Sequence, residues 1–438
     1  MPQLTADKGL TAAVSEPNQH VRAGLFTRYC LPMVLWAIVG IAAPAFIMDL
    51  YRSRRDIQED FAVYYMLGQE LRQGIDPYTT DFTAAARQRG FNIHVIRHGS
   101  EPPTFVALVC EPLSRLPSRP AYWIWQAMNV GCLLAAMYLL IGPGCGIAPW
   151  TVLSLVALTV LYPPVITHVW MGQSKLPALL LLVLAMRWME CGRDRRAGLT
   201  LAFVSLLRFF PLGLVGYLVL QERWRILFNT LIGLVIGGAL TIALVGIHNC
   251  ISFVSAAALL VDQSWTATAR DISIDTFISR QLHAMLPASV RFASSTAFAS
   301  TVVAKLLILL ATAKATLAQP PGCDPDSRIY SLWVTTSIVL LPVVWDYDLT
   351  LLLLPFGVLI LVVARGEASR RAIATAIISY ILLVSWDYLT PTGYECGFLS
   401  VVAAYLSVYW LAVDQPAAII LPVRLMPAGI WRRLTPAR

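Results

Sequence analysis

The chain has 438 residues, of which 57% are hydrophobic and only 13% are charged, and its formal net charge is +8. Soluble domains carry about 25% charged residues, so this composition excludes an ordinary soluble globular protein. The arginines that supply the positive charge lie in short segments between apolar runs. This distribution is typical of cytoplasmic loops in membrane proteins and not of a nucleic-acid-binding surface.

Apolar runs long enough to cross a bilayer recur along the chain and predict an all-α, polytopic integral membrane protein with about 12 transmembrane helices. Residues 1–28 are predicted to be a disordered cytoplasmic N-terminus, residues 29–414 a single transmembrane domain, and residues 415–438 a basic cytoplasmic tail. Residues 51–101 and 248–293 are predicted to be external loops that carry amphipathic helices. The predicted spans are 31–50, 121–141, 150–170, 176–190, a pair within 197–220, 226–247, 294–318, 329–344, 349–364, 372–386 and 397–413.

Two segments interrupt this regular pattern. Residues 104–116 are apolar, but as a helix they would be only about 20 Å long, and the hydrocarbon core is about 30 Å thick. They form either a thin span or a helix that dips in and leaves on the same side; the parity of the later basic loops favours the second. Residues 197–220 have arginines beyond both ends and Pro211 in the middle, which predicts two short helices that meet near Arg208.

The stretch that follows the first predicted span differs from the rest of the chain, because it combines a carboxylate with several aromatic residues and a turn. Asp60 stands where a helix N-cap would stand, before an apolar run. Gly74, Asp76 and Pro77 end the helix, since glycine tolerates the left-handed exit and proline cannot continue the helix. The sequence therefore predicts a short helix near the membrane surface with an acid at its start.

The motifs Asp60-Phe-Ala-Val-Tyr-Tyr65 and Gly74-Ile-Asp-Pro-Tyr78, followed by Pro102-Pro-Thr-Phe105 and by residues 116–125, resemble glycosyltransferase family 87. The resemblance implies a membrane enzyme of the GT-C fold that uses a polyprenyl-phosphate sugar donor. It implies transfer of a hexose, mannose above all, with inversion to a lipid-linked or glycan acceptor. It also implies a location in the bacterial inner membrane, with the active site facing the periplasm. The expected partners are the bilayer, the donor and the acceptor, with no nucleic acid.

Polar and aromatic residues gather in three stretches that are predicted to be external, and acids and aromatic rings suit a sugar site. The stretches are residues 59–65, 172–175 and 345–348. By the resemblance, Asp60 is the catalytic base that deprotonates the acceptor hydroxyl. The alternative is that Asp60 only caps its helix. The residues predicted to bind donor or acceptor are Glu59, Tyr64, Tyr65, Tyr78, Gln173, Lys175, Arg208, Gln263, Trp345, Asp346, Tyr347 and Asp348.

Arg208 is the least expected residue of the apolar segments, since an arginine deep in a transmembrane helix costs about 2.5–3.5 kcal/mol. A donor or acceptor phosphate is the natural partner for its guanidinium. The alternative is that the side chain snorkels to the cytoplasmic surface. The family has a lysine, an aromatic residue and a proline here. Arg208 and Pro211 match this pattern, with an arginine as the cation instead of a lysine.

The resemblance extends to Asp262-Gln263-Ser264, a variant of the family's Asn-Gln-Ser, but it fails at one position. The family often has a histidine just after the Trp-Asp that Trp345 and Asp346 match; Tyr347 and Asp348 stand there instead, which puts a histidine-dependent contact in doubt. Two acids spaced like Asp346 and Asp348 are a weak metal motif, and no metal or cofactor is predicted.

Two alternatives to an enzyme remain open at this point. A transporter or flippase for a lipid-linked sugar would explain the spans, the broken helix and Arg208, although the paired halves typical of transporters are not visible. A non-catalytic subunit of an envelope glycan assembly system is the other. Cys250 and Cys396 both fall in segments predicted to be external, so they form either a disulfide or two free thiols.

Overall fold

The computed structural model describes residues 59–79, 82–89, 91, 102–142, 149–262, 271–285, 290–319, 327–386 and 393–414, together with the helical positions 37, 40, 44, 47 and 48. Within these ranges the chain is helical and contains no strand, which confirms the all-α prediction. The first helices are α1 (Glu59–Gln73), α2 (Phe82–Gln88), α3 (Thr104–Ser114), α4 (Ser118–Ile141), α5 (Pro149–Leu161), α6 (Pro163–Met171), α7 (Lys175–Glu190) and α8 (Asp194–Leu207). The others are α9 (Leu214–Leu220), α10 (Trp224–Val245), α11 (Ile247–Asp262), α12 (Ile274–Met285), α13 (Val290–Leu317), α14 (Ser327–Val339), α15 (Leu353–Ala364), α16 (Arg370–Trp386) and α17 (Gly393–Val413).

Five helical segments in the described part of the chain are long and apolar enough to cross a membrane, or six when the bent pair α5–α6 counts as one span. The chain is therefore a membrane protein. The larger predicted number of spans includes α7, α8, α14 and α16, which have only 16, 14, 13 and 17 residues. A straight crossing needs about 20 residues, so their length does not establish them as spans. The predicted tails 1–28 and 415–438 lie outside the described residues.

The predicted span 150–170 is bent, a feature that the sequence analysis did not predict. It consists of α5 and α6, which are bent by 51° where they meet. Pro163 and Pro164 open α6, and a proline inside a continuous helix removes a hydrogen bond and clashes with the preceding turn.

The predicted break near Arg208 is present. Helix α8 ends at Leu207, Arg208 is extended with φ −153° and ψ 129°, and a 3-10 turn (Phe210–Gly213) leads into α9. Helix α8 packs closely on α10 at Gly198. A Cβ at this position would lie only 2.5 Å from the Ile226 carbonyl oxygen, so the contact leaves no room for a side chain. This close packing fixes α8 and therefore the position of Arg208 at its end.

Helix α1 is the predicted short helix, and it ends where predicted, at Gly74 with φ +70°. It lies against α3, where a Cβ at Gly68 would come within 2.8 Å of the Cys110 backbone. The helix begins at Glu59, so Asp60 is its second residue and not the N-cap that we predicted. The segment 104–116 is a short helix, as expected, and ends at Ser114.

The segment that enters α12 is tied to the chain just before Trp345. The Asp271 carboxylate accepts hydrogen bonds from the backbone N–H of Ser273 at 2.9 Å and of Val344 at 3.0 Å. The Ile272 N–H donates to the Val344 carbonyl at 2.9 Å. These bonds hold in place the turn that carries Trp345. Cys250 and Cys396 are free thiols, so the disulfide alternative is wrong.

Candidate active site

One cavity of about 80 Å³ brings together segments that are far apart in the sequence. Its wall is formed by helix α1, the segment just before α3, the turn between α6 and α7, the break after α8 and the turn before α15. The three predicted groups of polar and aromatic residues thus meet Arg208 at one place. The lining residues are Asp60, Val63, Tyr64, Pro102, Gln173, Lys175, Arg208, Trp345 and Tyr347.

Arg208 is half-buried and its guanidinium faces this cavity. Its Nη2 donates hydrogen bonds to Ser174 Oγ at 2.7 Å, to Gln173 Oε1 at 3.1 Å and to Tyr64 Oη. All three partners are neutral, and among the described residues no hydrogen-bond partner meets its buried Nε. Neutral groups therefore orient the side chain, and its Nε remains a donor that an anion could use. A side chain that snorkels to the cytoplasmic surface would not face this cavity.

Tyr64 orients Arg208 from the side of α1. Its hydroxyl donates to Gln173 Oε1 at 2.7 Å, and its ring lies 5.8 Å from the guanidinium carbon of Arg208. Burial raises the pKa of Tyr64 to about 12, although the neighbouring Arg208 charge acts in the opposite direction. The hydroxyl therefore stays protonated at neutral pH. Trp125 supports this ring at 5.2 Å and donates from Nε1 to the Gly172 carbonyl at 2.7 Å.

Lys175 lines the cavity and forms an ion pair with Asp348 beside it, and both side chains are more than 90% buried. Asp348 also accepts the backbone N–H of Trp345 at 2.9 Å, so it closes the turn that carries the two aromatic residues. The rings of Trp345 and Tyr347 are stacked with centroids 6.3 Å apart. Asp348, one of the two residues that stand where a histidine was expected from the resemblance, thus pairs with a lysine and closes a turn.

The weak metal motif is occupied by internal contacts. Asp346 Oδ1 accepts the backbone N–H of Tyr347 at 2.8 Å, and Asp348 is engaged with Lys175. Across the described ranges, no group of three or more His, Cys, Asp and Glu side chains gathers as a metal site would require.

His168 is a component of the site to which the sequence assigned no role. It lies in the last turn of α6, is fully buried, and its Nε2 accepts the backbone N–H of Lys175 at 2.9 Å and of Leu176 at 3.2 Å. It therefore caps the start of α7, where Ser174 makes no side-chain cap. A single histidine at the end of an apolar run gives no pattern from which this contact could be predicted.

Four predicted site residues do not line the cavity: Tyr65, Tyr78, Asp346 and Asp348, the last of which pairs with Lys175. The Tyr65 hydroxyl donates to the Leu116 carbonyl at 2.8 Å, because neighbouring residues of a helix point about 100° apart and Tyr64 faces the cavity. The Tyr78 hydroxyl donates to the Pro102 carbonyl at 2.9 Å and so supports the wall from behind. Asp346 is used by its own turn. The Glu59 side chain and Gln263 lie outside the described residues.

Comparison with known families gives one match. Residues 102–342, more than half of the chain, match the family model of glycosyltransferase family 87. The matched range includes Gln173, Lys175 and Arg208, whereas Asp60 precedes it and Trp345 follows it. Neither the comparison with curated proteins nor that with solved structures gave a match.

Proposed function

Because the chain belongs to glycosyltransferase family 87 and is thus a membrane glycosyltransferase, we propose that it uses a polyprenyl-phosphate hexose as its donor. The hexose is mannose, and it passes with inversion to a lipid-linked or glycan acceptor. The proposal includes a GT-C architecture with the predicted spans, in a bacterial inner membrane, and a site open to the periplasm.

The observation that carries this proposal is that Asp60 and Arg208 line the same cavity. Transfer from a sugar phosphate needs a cation that binds the phosphate and a group that accepts the proton of the acceptor hydroxyl. The Arg208 guanidinium matches the geometry of a phosphate, which can accept two parallel hydrogen bonds from it. Asp60 lines the same cavity, where its carboxylate would accept the proton of a hydroxyl that binds there.

In the proposed step the acceptor oxygen attacks the anomeric carbon from the side opposite to the phosphate. The bond between this carbon and the phosphate oxygen breaks, and the polyprenyl phosphate leaves with the bonding electron pair. Asp60 takes the proton of the acceptor hydroxyl, a contribution of about 10²–10⁴-fold in rate. Arg208 and Lys175 stabilise the charge on the departing phosphate, and Trp345 and Tyr347 offer ring faces to the sugar.

The proposal is tested with the full chain in lipid nanodiscs and a polyprenyl-phosphate donor that carries radiolabelled mannose or glucose. Membrane extract serves as the source of acceptors, and the label is followed by chromatography of the lipid and glycan fractions. We expect mannose to leave the donor and to appear in a new fraction. A flippase would move the donor with its sugar–phosphate bond intact, so an unchanged donor with either sugar would refute the proposed donor class.

A further inference from the structure

A second and larger cavity, of about 460 Å³, lies at the other end of α8. Arg208 follows the last residue of this helix, while the cavity surrounds its first turn, so about 20 Å separates the two sites. Four arginines line the cavity, and Asp194 is the one acidic residue among the lining. The four are Arg193, Arg195, Arg196 and Arg225. The cavity is therefore strongly cationic.

Two of these arginines are held in place by an aromatic ring. The guanidinium carbons of Arg193 and Arg196 lie 5.3 Å and 5.0 Å from the centre of the Trp188 ring. Such contacts restrict the long side chains before a ligand arrives and lower the entropy that binding would cost. Arg195 and Arg225 are exposed at the rim. The cavity thus combines a fixed cationic wall with two accessible charges.

An exposed apolar stripe begins at the edge of the cavity. Phe228 belongs to the cavity wall, and the stripe continues along α10 through Leu231 and Val235. These residues are 63%, 49% and 71% exposed and recur at helical spacing on one face. Helix α10 is a candidate span, and only 22% of its apolar window is buried inside the protein. This face therefore contacts lipid chains.

We propose that the cavity binds the headgroup of an anionic phospholipid, with the acyl chains lying along the stripe of α10. The net positive charge of the cavity favours a headgroup with a net negative charge over a zwitterionic one, in which a quaternary ammonium balances the phosphate. The adjacent apolar stripe selects a lipid and not a soluble phosphate. This binding site is separate from the candidate active site and does not depend on the transfer reaction.

The experiment compares thermal unfolding of the full chain in dodecyl maltoside with added dioleoyl phosphatidylglycerol or dioleoyl phosphatidylcholine. A ligand that binds the folded state raises the melting temperature. We expect phosphatidylglycerol to raise it more than phosphatidylcholine does. The double variant Arg195→Gln with Arg225→Gln should lose at least half of this difference. The matched control is Arg365→Gln with Arg370→Gln, which removes two exposed arginines elsewhere and should keep it.

Two further measurements make each outcome decisive. In native mass spectrometry, the wild type and the control should retain phosphatidylglycerol, and the cavity variant should retain several-fold less. This measurement can be compared between variants even if their melting temperatures differ. Soluble glycerol 3-phosphate should shift the melting temperature little. Equal losses in both double variants, or full protection by glycerol 3-phosphate, would overturn the proposal in favour of a non-specific charge effect or a soluble-anion site.

Discussion

Arg208 Nη2 donates a 2.7 Å hydrogen bond to Ser174 Oγ, which joins the break after α8 to the turn before α7. Both segments are interruptions of helices, and both leave polar groups pointing into the same cavity. Irregular backbone at membrane depth is tolerated where it lines such a cavity, because its polar groups can then be satisfied. The break near Pro211 and the turn at Gly172 are therefore parts of one site.

The first prediction concerns the proposed base. Asp60→Asn keeps the size and polarity of the side chain but cannot accept a proton, so transfer should fall by about 10²–10⁴-fold while the fold is retained. Initial transfer rates and melting temperatures of the purified variants provide the measurement. Asp346→Asn is the matched control, because an asparagine oxygen can still accept the Tyr347 N–H, and it should stay near wild type. Near wild-type transfer by Asp60→Asn would assign the base to another residue.

The second prediction concerns Arg208. Donor affinity should decrease from Arg208 to Arg208→Lys to Arg208→Met, because lysine keeps a point charge but loses the guanidinium fork. Without donor, the melting temperature of Arg208→Met should be unchanged or higher, since a half-buried cation with neutral partners is costly to hold. Binding of a polyprenyl-phosphate analogue and thermal unfolding are measured for all three.

Arg115→Met is the control for this series. Arg115 has a 66% exposed side chain that pairs with Glu111, and the residue does not line the cavity, so donor affinity should not change. Equal donor affinity across the Arg208 series would remove this residue from the phosphate site.

The sequence predicted those parts of the site that depend on local signals. The end of the acid-bearing helix at Gly74 and the break before Pro211 follow from glycine and proline within a few residues of the feature. The match to residues 102–342 likewise confirms the family that was inferred from short motifs. Asp60 was assigned to the site from its motif, and the same residue lines the cavity.

The parts that failed depend on contacts between distant segments. The Lys175–Asp348 pair joins two turns that no sequence pattern links. Tyr64 and Tyr65 are chemically equal neighbours, and only the packing of α1 decides which hydroxyl faces the cavity. The bend between α5 and α6 is an exception, since it was missed although its signal, Pro163 and Pro164, is local.

The third prediction tests the role of His168 as a cap. His168→Leu removes the acceptor of two buried backbone N–H groups, so the free energy of unfolding should fall by about 1–3 kcal/mol. These N–H groups belong to the first two residues of α7, so the loss of their acceptor should also shift the Lys175 side chain. Donor binding should then become weaker. His168→Gln offers an oxygen acceptor and should recover part of both losses. Chemical denaturation and donor-analogue binding are the measurements; an unchanged His168→Leu would contradict the capping role.

The last prediction concerns Glu70, a 2% exposed residue of α1. Burial is the main cause that raises its pKa to about 7 from an ordinary value of 4.5; Asp76 adds to the rise and Arg89 opposes it. The folded state therefore holds the proton more tightly than the unfolded state, and stability must fall as the pH rises from 4.5 to 7. The full loss is about 3 kcal/mol.

Glu70→Gln removes this titration, so it should match wild type near pH 4.5 and exceed it in stability at pH 8. Thermal unfolding between these pH values is the measurement, with Glu111→Gln on the neighbouring helix as the control expected to keep the wild-type slope. Parallel pH profiles for Glu70→Gln and wild type would show that Glu70 is not the titrating group.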